Sequence, residues 1–268
     1  MRLDNFLITE TRSKKISESE AYAFANDYCS NALNGYIKGT SRIFRGNSYL
    51  GKYYYMWEAG SERTSPYADN NIYNLLLSNL PSWKKYPKRN LSLVGTTDAD
   101  SASHYGLDIF VVLPIDNAKI GVCPDYDIWD SFVGSYAGGL NSFNGQLARA
   151  IEKLTGAVIR VGEPKTYNVL LNHLNEIDNW KKRKPSRGIM KKEASEFLPY
   201  ILAEKYINNP KIKLIDIIET ILDPEDNGFK LMKSGSRFTS GTAKEVWTQD
   251  KCVLINMREL YKVYQLKT

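Results

Sequence analysis

Residues 107–114 read LDIFVVLP. The run is branched and apolar from Ile109 to Leu113 and stops at Pro114, so it predicts a strand buried on both faces. Outward from it, RNLSLVGTTD (89–98) predicts a strand over about 91–97, and ADSASHYG (99–106) a short helix ending at Gly106. On the other side, IGVCP (120–124) reads as a short edge strand, and DYDIWDSF (125–132) turns toward a helix. Upstream, Ser17-x-x-Glu20 is a capping-box pattern that opens an amphipathic helix to about Leu33, stopped by Asn34-Gly35. A strand over 41–46 (SRIFRG) follows, then a Tyr-, Ser- and Gly-rich loop over 47–69. A helix over NNIYNLLLSNL (70–80) ends before Pro81.

From about 140 to 222 the periodicity becomes helical. NSFNGQLARAIEKLTG, KTYNVLLNHLNEIDNW, KKEASEFLPYILAEKYI and KLIDIIETIL each carry apolar residues near spacings of three and four. After DPEDNG, strand character returns in EVWTQDKCVLI (245–255) and RELYKVYQL (258–266), with a turn near Gln249-Asp250. The expectation is an α+β fold: one domain over 1–268, strands from both ends of the chain sharing one sheet, and a helical insertion at about 140–222.

Composition narrows the function. The chain has 268 residues, 43% of them hydrophobic, so a large core can form. It lacks an apolar run of 18 residues and an apolar leader, so neither a membrane span nor secretion is expected. Three cysteines without motif spacing and two histidines argue against a disulfide framework or a zinc or histidine-rich metal centre. Richness in Asn, Tyr and Lys suits a protein of a phage or a bacterium, with the cytoplasm, for a phage that of its host, as the compartment. The net charge of +6 has one local source, NWKKRKPSRGIMKK (179–192), with seven basic residues and no acid. Such a run is either a solvated loop between helices or a patch for nucleic acid or an acidic partner. A non-catalytic nucleic-acid binder is therefore the alternative function.

Three stretches at strand ends carry chemistry: IFRG (43–46), SLVGTTD (92–98) and KEVW (244–247). Their order resembles the arginine–serine–glutamate signature of ADP-ribosyltransferases, over roughly 40–135 and 234–266. The resemblance implies a split mixed sheet that binds NAD in a cleft, and mono-ADP-ribosyl transfer to a macromolecular acceptor, protein or nucleic acid. It implies Glu245 as the catalytic carboxylate on the ribose 2′-hydroxyl, and Arg45 as the cation for NAD. Gly46 would let backbone approach the nicotinamide amide, and Thr96 and Thr97 would line the ribose. Tyr105, or one of Tyr53, Tyr54 and Tyr55, would stack on the nicotinamide ring. Arg45 and Glu245 should then face one cleft. Two positions depart from the pattern. Gly95 stands where the hydroxyl triplet begins, which leaves Thr97 or Ser92 to steady the glutamate. Ala243, two before Glu245, weighs against simple transfer to arginine.

Other constellations are weaker. Asp125, Asp127 and Asp130, with Asp98, Asp100 or Asp116, could hold Mg²⁺ for a nuclease, but acids at such positions more often cap helix starts. His104 reads as a surface or capping residue. Hydrolase-elbow, phosphate-loop and dinucleotide-fold glycine motifs do not occur.

Overall fold

The computed structural model describes residues 13–47, 53–59, 70–132, 136–183, 187–238 and 242–265. The elements run β1 (Ser13–Ile16), α1 (Glu18–Tyr28), α2 (Ser30–Ile37), β2 (Phe44–Asn47), β3 (Tyr54–Trp57), α3 (Ile72–Asn79), β4 (Leu93–Thr96), α4 (Ala99–Ser103), β5 (Asp108–Pro114), β6 (Lys119–Val122), α5 (Gly139–Thr155), α6 (Tyr167–Arg183), α7 (Arg187–Ser195), α8 (Tyr200–Asn208), α9 (Leu214–Ile221), β7 (Lys230–Lys233), β8 (Glu245–Thr248), β9 (Cys252–Asn256) and α10 (Met257–Tyr264). The chain divides into two compact units. One comprises residues 1–63, 85–128 and 229–268, and the other 64–84 and 129–228. All the strands named above lie in the first unit, while α3 and α5 to α9 make the second.

The strands form one nine-stranded sheet in the order β1-β3-β9-β5-β2-β4-β8-β6-β7. Strands from both ends of the chain do share it, and the fold is α+β. The mixed sheet that was expected is antiparallel at every described pairing. At its centre β5 and β9 are buried on both faces. Val111, Leu113, Val253 and Ile255 pack with α1, α2, α4 and α10 on one face. Phe110, Val112, Cys252 and Leu254 pack on the other with Tyr55, Trp57, Ile43, Leu93, Ile120 and Val246. This two-sided burial is why LDIFVVLP shows no polar alternation.

The sheet is bent. In a flat sheet β8 and β9, with three strands between them, would lie four spacings apart, about 19 Å. Only residues 249–251 join them, a reach of at most about 15 Å from Thr248 to Cys252. The bend has an obvious place. Strand β2 pairs with β5 at four positions, but with β4 only at Phe44↔Thr96. Beyond that pair β2 and β4 splay.

Several elements differ from the sequence reading. The helix expected from Ser17 to Leu33 breaks at Cys29, and α2 runs on through Asn34-Gly35 to Ile37. Gly35 is used for packing, since a Cβ there would lie 2.7 Å from the Cβ of Ser41. The capping box itself is present, with Ser17 accepting from Glu20 N and the Glu20 carboxylate accepting from Ser17 N at 2.8 Å. Strand β6 is not an edge, because it sits between β8 and β7. Strand β3 lies within the expected loop over 47–69. The stretch RELYKVYQL forms a helix, α10, rather than a strand.

Candidate functional site

The three signature stretches fall on adjacent strands, β2, β4 and β8. Thr96, the last residue of β4, stands directly opposite Glu245, the first residue of β8. Phe44, next to Arg45, stands opposite Thr96. Residues 44, 96 and 245 therefore share one face of the sheet, and Arg45 points to the other, with Phe110. Arg45 and Glu245 are thus close in strand order but do not face one cleft, contrary to the expectation, because one step along β2 reverses the side chain.

Arg45 instead closes the splay between β2 and β4. Its Nη1 donates to the carbonyl oxygen of Val94, an acceptor on the part of β4 that lacks a β2 register pair. Gly46 has a structural use too. A Cβ there would sit 1.9 Å from the carbonyl oxygen of Ala102 in α4, so the bare Cα admits α4 against β2. A nicotinamide amide would have to displace that contact. Gly106 does the same from the other side, where a Cβ would meet Asn47 backbone at 2.3 Å.

Glu245 is 8% exposed. Both its carboxylate oxygens are held by one guanidinium: Arg89 Nε donates to Oε1 at 2.8 Å and Nη2 to Oε2 at 2.9 Å. Its main chain is fixed as well, with Glu245 N donating to Asp125 O at 3.1 Å and Cys123 N donating to Glu245 O at 2.9 Å. The steadying hydroxyls expected from Thr97 or Ser92 have other partners. Thr97 Oγ1 accepts from Lys244 N at 3.0 Å, and Ser92 Oγ donates to Lys88 O at 2.7 Å. Thr96 Oγ1 accepts from Asp98 N at 3.3 Å and keeps its proton to donate elsewhere. Gly95 faces away from Glu245, and a Cβ there would strike Phe44 O at 2.6 Å, so a serine does not fit. Arg89 is the residue that the sequence reading missed. It stands in the quoted run RNLSLVGTTD, but its partner is 156 positions away and no local pattern marks it.

The aromatic candidates separate. Tyr105 follows α4 and is 63% exposed, and Tyr53 is 49% exposed beneath the Lys15 ammonium. Tyr54 packs edge-on against Tyr22, and Tyr55 edge-on against Phe110. Tyr54, partly buried, packs against the core on one face of the sheet, and Tyr55 is buried in the core on the other. Of the acids, Asp98 caps α4 by accepting from Ser101 N at 2.7 Å. Asp116 accepts from Ser30 Oγ and Asn31 N at the start of α2. Among the described residues no group of three His, Cys, Asp or Glu is placed to hold a metal ion. Among them, too, no helix is long and apolar enough to cross a membrane.

In the helical unit, much of the basic run is helix rather than loop. Helix α6 continues to Arg183 and α7 starts at Arg187, while residues 184–186 lie outside the described residues. Lys181 is buried, its ammonium donating to Tyr206 O, Asn209 O and Ile212 O at 3.3, 3.4 and 2.7 Å. Burial pushes its pKa down from the ordinary lysine value. Lys191 is paired with Glu204 at 2.6 Å. Among the described residues of the run, Lys181 and Lys191 thus have partners within the protein.

Comparisons with protein families, with curated proteins and with solved structures return no match.

Proposed function

We propose that this protein is a mono-ADP-ribosyltransferase that cleaves NAD between nicotinamide and ribose and passes ADP-ribose to a macromolecule. The observation that carries the reading is the register pair Thr96↔Glu245, formed by stretches far apart in the chain, with the strand of Arg45 next to it. A buried carboxylate beside a hydroxyl suits a ribose whose C1′ becomes cationic. In the reaction the C1′–N bond breaks and its electron pair leaves with nicotinamide. Glu245 accepts from the ribose 2′-hydroxyl and lowers the energy of the developing cation, the kind of fixed charge that dominates catalysis. The acceptor then forms its bond to C1′ and gives up a proton to solvent. Thr96 and Thr97 lie along the same edge. Arg45 serves this reading by holding the splayed strands rather than by meeting the carboxylate across a cleft, and Arg89 is the guanidinium on Glu245.

The test is transfer from NAD labelled in its adenosine half. Incubated with a cell lysate, the protein should label a macromolecular fraction, and separation into protein and nucleic acid names the acceptor class. Intact NAD and unlabelled fractions would overturn the proposal.

A further inference from the structure

We infer that Arg89 is a positioning residue for Glu245, setting the angle at which its carboxylate meets the ribose; this rests on the ADP-ribosyl-transfer reading above. The pair is bidentate, at 2.8 and 2.9 Å, with side chains only 12% and 10% exposed. Two parallel bonds from a planar fork fix both the place and the rotation of a carboxylate, which a single hydroxyl cannot do.

The fork is itself held by the strand that carries Glu245. Arg89 begins a single 3-10 turn, Arg89–Leu91, that leads into β4. The residues just before it are tied to β8 and its turn: Trp247 Nε1 donates to Pro87 O at 2.8 Å, and Gln249 Oε1 accepts from Lys88 N at 3.2 Å. Ser92 N and Oγ close the turn on Arg89 O and Lys88 O. Two flanking charged residues are engaged elsewhere. Lys244 sends its ammonium to Pro124 O, and Asp125 meets Glu245 through its main-chain oxygen while its carboxylate accepts from Tyr126 N. Each Glu245 oxygen can accept a second bond beyond that from Arg89, which is the acceptor the ribose hydroxyl needs. Without Arg89 the buried carboxylate would lose the guanidinium that holds both its oxygens.

The experiment compares NAD affinity and steady-state nicotinamide release for the full chain and its R89K and R89M variants. Misplacement of a reacting group by about 1 Å costs on the order of 100-fold. R89M should therefore lose about 100-fold in kcat, with NAD affinity changed by less than about 3-fold. R89K keeps the charge without the fork and should fall between, and added guanidinium should restore part of the R89M turnover. R89K guards against a misfolded R89M, with thermal unfolding run on both. If the unaltered protein cleaves NAD and both variants turn over equally well, Arg89 is structural and the assignment fails alone. If NAD affinity falls while kcat holds, Arg89 binds NAD directly and the assignment again fails alone. If the unaltered protein leaves NAD intact, the transfer reading fails and takes the assignment with it.

Discussion

Arg45, Gly46 and Gly95 all show how one step along a strand changes a residue's task. Arg45 ties Val94 across the splay, Gly46 admits the Ala102 carbonyl on the opposite face, and Gly95 makes room for the Phe44 carbonyl. Each glycine meets backbone rather than a side-chain tip, so the neighbour cannot swing away. Gly46→Ala should therefore destabilise the protein by about 1–3 kcal/mol, the range for overpacking, read from its urea midpoint. A variant with unchanged stability would show that α4 gives way easily, and would return Gly46 to the ligand. The site residues were only half legible. Glu245 and Thr96 came from short stretches that the fold does bring opposite each other. The face of Arg45 depends on register with strands from elsewhere in the chain, and the Arg89 pair on a contact across 156 positions. Neither leaves a local trace.

At the scale of elements, local chemistry was readable where it is self-contained. The Ser17–Glu20 box is made and used by one turn of α1. The hydrogen bond between Ser17 N and the Glu20 carboxylate, with that from the Ser17 hydroxyl, holds the Glu20 pKa below its ordinary value of 4.5. A carboxylate with a lowered folded pKa adds stability above the ordinary value and loses it as pH falls through the folded one. The stability difference between the protein and Glu20→Gln should accordingly be present at neutral pH and vanish in acid. A difference that persisted in acid would contradict the cap's charge. Helix α10 was misread because RELYKVYQL satisfies two periods. Alternation suggests a strand, but Met257, Leu260, Tyr261 and Tyr264 also fall at i, i+3, i+4 and i+7. All but Tyr261 join the core with α1, α2 and β9, while Tyr261 meets Tyr36. Asn256 then starts the helix by accepting from Arg258 N at 3.0 Å. The loop reading of the basic run gives way to helix for a different reason. Sequence counts charges but cannot see that the end of α8 and the segment after it turn carbonyls toward Lys181. Lys181→Ala should cost about 2 kcal/mol or more, since it strands buried carbonyls. Urea unfolding with an unchanged midpoint would show that the lysine is merely solvated.

The first unit is a bent antiparallel sheet with α1, α2, α4 and α10 packed on one face, and the second, drawn from two stretches of chain, holds α3 and α5 to α9. The bend follows from the short β8–β9 connection, which cannot span a flat sheet. Its hinge falls where β2 and β4 share one register pair, beside the three signature stretches. Removing the Glu245 side chain outright would break the buried Arg89–Glu245 pair and cost about 3–5 kcal/mol, which would blur activity with folding. Glu245→Gln keeps the volume and one acceptor for Arg89. The decisive measurement is nicotinamide release from NAD by the purified full chain and by E245Q, with lysate supplied as acceptor. ADP-ribosyl transfer through Glu245 predicts release by the unaltered protein and a loss of at least about 100-fold in E245Q at similar thermal stability. Release that is equal in the two proteins, or absent from both, would contradict it.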